Sequence, residues 1–147
     1  MSVESAYVDT SVLGAYYCPE PLSDCADKAL REIGIPIISN LTLVEFSSLL
    51  ARKRQLKELD GRTASQVLEL FNSHVSGGFY RRLSLGAEHF IEAQRLIEAV
   101  ATLRTLDSLH LAVAVLEGVP ILTADSQLAG AARKLKAGAI LVSSKTR

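Results

Sequence analysis

Four carboxylates stand out because of what surrounds them. Asp9 closes an apolar run, in Tyr7-Val8-Asp9-Thr10-Ser11. Asp125 repeats the arrangement after Val119-Pro120-Ile121-Leu122, in Thr123-Ala124-Asp125-Ser126. In an open parallel sheet, such positions lie at the carboxyl ends of strands, where ligands bind. Taken singly, each also fits the N-cap of a following helix, the ordinary work of an Asp there. Glu45 lies within Asn40-Leu41-Thr42-Leu43-Val44-Glu45-Phe46-Ser47-Ser48-Leu49, with Leu41 and Leu49 on its helix face. A carboxylate in an apolar stripe needs a partner to offset its desolvation, either a cation or a buried salt bridge. Asp107, between Leu103 and Leu111, poses the same question at the start of an apolar helix, where the helix dipole also favours an acid. Together, two acids at strand ends and two on apolar helix faces form a donor set for a hard cation, Mg²⁺ or Mn²⁺. Without a cation, clustered carboxylates repel and raise one another's pKa values.

These acids need elements to bring them together. Short apolar runs at Ala6–Val8, Ile35–Ile38, Phe79–Leu85, Val119–Leu122 and Ala139–Val142 read as buried strands. Helix-period segments lie between them: Pro21–Ile33, Leu41–Leu56, Thr63–His74, Glu88–Val100, Leu106–Leu116 and Ser126–Leu135, with a short helix from Ser11. Lys57 to Gly61 reads as a turn, and Ser76-Gly77-Gly78 as a helix end. Strands alternating with helices of this length predict an α/β fold. We expect a three-layer α/β/α sandwich around a short parallel sheet of about five strands, with residues 1–147 as a single domain.

Bulk composition narrows the classes. The 147 residues are 48% apolar, enough to build a core and too apolar for a disordered chain. Sixteen basic and sixteen acidic residues cancel, so charge does not by itself mark a nucleic-acid binder. A local basic patch would suffice to hold phosphates. Cys18 and Cys25 have neither a zinc spacing nor a disulfide framework and read as free thiols. No stretch reaches the ~20 apolar residues that cross a bilayer, and Met-Ser-Val-Glu-Ser, with no basic region before an apolar run, is not expected to act as a secretory leader. A cytoplasmic chain is expected. No P-loop and no Gly-x-Gly-x-x-Gly is present. A phosphatase of the haloacid-dehalogenase type would want an Asp where Ser11 stands.

The acidic motifs, taken in order, resemble a known family. Val-Asp-Thr-Ser-Val-Leu, Leu-Val-Glu-Phe, Leu-Arg-Thr-Leu-Asp-Ser-Leu-His-Leu-Ala and Ile-Leu-Thr-Ala-Asp-Ser-Gln-Leu together resemble the PIN-domain family. Within it they are most similar to VapC-like toxins of bacterial toxin–antitoxin pairs. The match runs from Tyr7 to about Leu141. The resemblance implies RNA cleavage by water activated with Mg²⁺ or Mn²⁺, leaving 5′-phosphate and 3′-hydroxyl ends. It also implies a homodimer and an antitoxin partner. Asp9, Glu45, Asp107 and Asp125 take the family's metal positions by this resemblance. Thr10 and Thr123 match small hydroxyl residues beside them, though both also read as cap or turn residues. Arg104 is the best-placed phosphate contact, or else a partner of one of the acids. Arg52-Lys53-Arg54, Lys57 and Arg81-Arg82 read first as solvated faces and second as RNA contacts. His110, three residues after Asp107, reads first as a packed core histidine and second as a partner or ligand at the site. No partners are evident for His74 and His89. The competing reading is a non-catalytic PIN-like scaffold that binds RNA or a protein.

Overall fold

Strand periodicity divides the molecule into two cores. The computed structural model describes residues 2–144. Strands β1 (Val3–Val8), β2 (Ile33–Ser39), β3 (Arg81–Leu83), β4 (Ile121–Thr123) and β5 (Ala139–Leu141) form one sheet. Their order is β3-β2-β1-β4-β5 and every pairing is parallel. Successive strand residues point to opposite faces. Ala6, Val8, Ile38 and Leu122 therefore enter one core, while Tyr7, Ile37 and Ile121 enter the other.

Helices α1 (Thr10–Tyr17), α2 (Ser23–Arg31), α3 (Asn40–Gln55) and α4 (Gly61–Ser76) cover the first face, through Leu13, Leu30, Phe46 and Phe71 among others. Helices α5 (Ala87–Ala99), α6 (Thr105–Glu117) and α7 (Ser126–Lys134) cover the second, through Leu96, Leu111 and Leu128. This is the expected three-layer α/β/α sandwich with five parallel strands. A sheet buried on both faces explains why its strands carry apolar runs instead of alternating patterns.

Element edges differ from the sequence reading for physical reasons. β1 begins at Val3 and β2 at Ile33, further out than the apolar runs: Val3 is half-buried, and the exposed Gly34 and Ile35 separate buried Ile33 from the rest of β2. The expected helix to Ile33 ends at Arg31, and Ile33 opens β2 instead. β3 shrinks from Phe79–Leu85 to three residues at the sheet edge, with Tyr80 turned into the first core. β3 pairs with β2 only from Ile37 onward. Pro36 is thus left without a β3 neighbour that would need the donor proline lacks.

The chain fills one side of β1 with β2 and β3, then crosses to the other side with β4 and β5. That reversal opens a crevice between β1 and β4 at their carboxyl ends, the place where open α/β sheets bind ligands. Among the described residues, no helix is long and apolar enough to cross a membrane.

Candidate functional site

All four predicted acids line one cleft of about 670 Å³ at this crevice. Asp9 follows β1 and Asp125 follows β4, while α3 delivers Glu45 and the first turn of α6 delivers Asp107. Arg52, Lys53 and Arg104 line the same cleft. Arg81 and Arg82 lie on β3 instead, and Arg81 pairs with Glu117 at 3.2 Å.

Asp9 occupies the N-cap position of α1, yet its side chain makes no cap hydrogen bond. Its Oδ2 instead accepts from Ser11 Oγ at 2.6 Å and from Thr123 Oγ1 at 2.9 Å. Only 5% of this residue is exposed, so both hydroxyls serve to hold a buried charge. Asp125 does cap α7: its Oδ1 accepts from the backbone N–H of Gln127 at 2.9 Å and of Leu128 at 3.3 Å. Thr123 Oγ1 also accepts from the Asp125 backbone N–H at 3.0 Å.

Glu45 is half-buried and shows why an acid can stand in the apolar face of α3. Its Oε1 accepts from Thr10 Oγ1 at 2.8 Å and from His110 Nε2. Burial alone would push the carboxyl up. The hydrogen bond and electrostatic pull of His110, with the Thr10 bond, hold it below the ordinary glutamate value. Asp107 has the opposite balance. Burial pushes its carboxyl up, and the negative charges of Asp9 and Asp125 push it further, against the pull of Arg104. The Arg104 guanidinium lies 3.3 Å from Asp107 Oδ2 and 3.6 Å from Asp125 Oδ2, bridging two of the acids.

The four carboxylates share one pattern. Asp9 Oδ1, Glu45 Oε2 and Asp107 Oδ1 receive no hydrogen bond from the described residues, and Asp125 Oδ2 meets only the exposed Arg104. Oxygen donors of this kind suit a hard divalent cation. Among the described residues, no three such side chains meet about one point as they would around a held ion. Arg104 stands between Asp107 and Asp125 instead, and its 74% exposed side chain is free to withdraw. By donor chemistry the acids fit the cation, provided that Arg104 yields its place.

His110 is not merely a packed histidine: it is 1% exposed and spends both ring nitrogens on Glu45 and Tyr7. Ser11, Tyr7, Ser39 and Thr42 were not legible as site residues. Their only signal was a hydroxyl within or beside an apolar strand or helix. Thr10 and Thr123 both bond to acids, and Thr123 also serves its turn by accepting from the Asp125 N–H. His74 bonds to Tyr17 at 2.6 Å and His89 accepts from the Gly86 N–H at 2.9 Å, so both have partners away from the cleft.

Comparison with known proteins agrees with the architecture. The family model described as PIN domain matches residues 6–134. No curated protein is similar enough in sequence to count as a relative. Among solved structures, PAE2754 from Pyrobaculum aerophilum is similar at 25% identity and a TM-score of 0.68, over 97% of this chain and 91% of that one. VapC20 of Mycobacterium tuberculosis, a sarcin-ricin loop cleaving toxin, aligns at 18% identity and a TM-score of 0.68, over 86% and 94% of the two chains. A chain of a toxin–antitoxin complex from Klebsiella pneumoniae aligns at 16% identity and a TM-score of 0.63, over 83% and 88%. With its five-stranded parallel sheet, its acids at the strand ends and a family match over most of its length, the chain belongs to the PIN-domain family.

Proposed function

We propose that this chain is a Mg²⁺- or Mn²⁺-dependent endoribonuclease and the toxin of a toxin–antitoxin pair. The observation that carries the reading is the set of four carboxylates around one cleft: hydroxyls, an imidazole or backbone N–H groups hold Asp9, Glu45 and Asp125 on one side, and Arg104 alone meets Asp107. A bound divalent cation supplies activation of water and neutralisation of charge on the scissile phosphate. Asp9, Glu45, Asp107 and Asp125 would hold it.

The chain's own residues set the stage for that chemistry. Thr123, Ser11 and Thr10 lock the acids in place and spare them the reorganisation that a flexible carboxylate would need. Arg104, displaced from between Asp107 and Asp125, would meet a phosphate of the RNA. Arg52 and Lys53, on the α3 side of the cleft, would guide the RNA backbone into it. The antitoxin partner and the homodimer belong to the same reading. They rest on family membership and on the toxins and toxin–antitoxin complexes with which the fold is shared. The alternative, a scaffold that binds RNA or protein without cutting, is favoured by one observation: Arg104 already neutralises two of the acids.

Product ends test the proposed reaction. Water attacking the phosphorus leaves 5′-phosphate and 3′-hydroxyl ends, and these are the ends expected on RNA cut by the purified chain. Ends bearing 2′,3′-cyclic phosphate would show that the ribose hydroxyl attacks instead, and would overturn the reading.

A further inference from the structure

The cleft is backed by a buried polar chain that packing alone does not require. Tyr7, on β1, is 0% exposed and points into the core beneath α5, α6 and α7. Its hydroxyl lies 2.6 Å from His110 Nδ1, 2.8 Å from Ser39 Oγ and 3.4 Å from Thr42 Oγ1. Ser39 and Thr42 are themselves fully buried, and the Ser39 N–H donates to Thr42 Oγ1 at 3.1 Å. At the other end, His110 Nε2 meets Glu45 Oε1. Five polar side chains thus run from beneath the sheet to the wall of the cleft.

The carboxylate sets the direction of this chain. An ionised Glu45 only accepts, so His110 Nε2 donates its N–H to Oε1. The Tyr7 hydroxyl is hydrogen-bonded to the opposite nitrogen, Nδ1, and holds the ring from behind. Ser39 and Thr42 can in turn donate to the Tyr7 oxygen. Glu45 Oε1 therefore receives two donors, one from Thr10 on the cleft side and one from His110 at the rear. With Oε1 held twice, the carboxylate plane is fixed and Oε2 is left toward the cleft.

We infer that Tyr7 and His110 are positioning residues that aim the Glu45 carboxylate at the cation. Neither touches RNA or the ion. They act through the Nε2–H bond to Oε1, and Tyr7 acts one bond further back by holding the ring. Partners of this kind are commonly worth about 10- to 100-fold in metal affinity. The inference rests on the metal-site reading above.

Mn²⁺ binding to the full chain, followed by the loss of the free-ion resonance signal, tests it without recourse to cleavage. His110→Ala is expected to raise the Mn²⁺ Kd by about 10-fold or more. Tyr7→Phe keeps the ring and deletes only the hydroxyl, and is expected to raise Kd by about 2- to 10-fold, the worth of one neutral hydrogen bond. His110→Gln, which can restore an N–H near Nε2, is expected to recover most of the affinity lost in the alanine variant. A role in folding alone would predict no such rescue of affinity at equal thermal stability. On RNA, both weakened variants should lose kcat while KM for RNA stays put. Wild-type affinity in a folded Tyr7→Phe and a folded His110→Ala would overturn the inference and leave the nuclease reading standing. Absence of Mn²⁺ binding by the wild-type chain itself would overturn both.

Discussion

Asp107 bears the electrostatic cost of assembling the cluster. Its folded-state pKa is raised, by burial first and by the charge of Asp9 next. Between the ordinary aspartate value of 3.8 and that raised value, the folded chain binds more proton than the unfolded one. Stability of the metal-free protein therefore falls as pH climbs through this window. Asp107→Asn removes the cost: thermal melts of the metal-free variant should show a higher Tm than wild type at neutral pH, with the gap closing as pH drops toward 3.8. Mg²⁺ should raise the wild-type Tm and leave that of the variant unmoved, since only a competent site links binding to folding. Arg104 gives a second prediction at this scale. If it leaves Asp107 and Asp125 for an RNA phosphate, Arg104→Ala should weaken RNA binding and make the log–log salt slope shallower by about 0.7 for single-stranded RNA. An unchanged slope would assign Arg104 to the acids alone. Half of this site was nonetheless hard to read in the sequence. Asp9 and Asp125 stood out as acids closing apolar strands, and Glu45 and Asp107 because a carboxylate is costly on an apolar helix face. The groups that hold them are hydroxyls and an imidazole, which fit an apolar strand or helix equally well as packing.

At the scale of elements, the acids are placed by helix starts and strand ends, and these depend on local backbone rules. Helix α6 carries both Asp107 and His110 and stops at Gly118, whose φ of +71° is left-handed. A Cβ there would meet nothing within 4 Å, so the cost of Gly118→Ala is one of backbone conformation alone. We expect a loss of about 1–2 kcal/mol of stability, read in denaturant unfolding, with Mn²⁺ affinity unchanged. A drop in affinity at equal foldedness would mean that the α6 C-terminus tunes the site at its far end. Periodicity made the helices and the apolar strand centres legible. It left the strand margins obscure because Val3, Glu4 and Ser5 are not buried and the exposed Gly34 breaks the apolar run after Ile33. It overextended β3 because Phe79 and Tyr80 are apolar for other reasons: Tyr80 fills the first core and Phe79 lies against it. The order of the strands, and so the convergence of Asp9 with Asp125, is a long-range property that no local pattern encodes.

For the whole molecule, a net charge of zero hides a polarised arrangement. The crossing of the chain between β1 and β4 gathers acids into a crevice, and Arg52, Lys53 and Arg104 surround it with the opposite sign. An acidic cluster alone would repel RNA. Basic side chains beside it, with the proposed cation within it, would convert the crevice into a place where a phosphate can rest. The fold thereby accounts for how a neutral chain could act on a polyanion.

The most direct test of this account is cleavage of total cellular RNA by the purified chain in Mg²⁺, in Mn²⁺ and in EDTA, alongside Asp9→Asn. The account predicts discrete cuts with either metal, none in EDTA, and none from the variant, which keeps the shape of Asp9 while removing its charge. Cuts that persist in EDTA or survive Asp9→Asn would contradict it, because the carboxylate cleft would then not be where the RNA is broken.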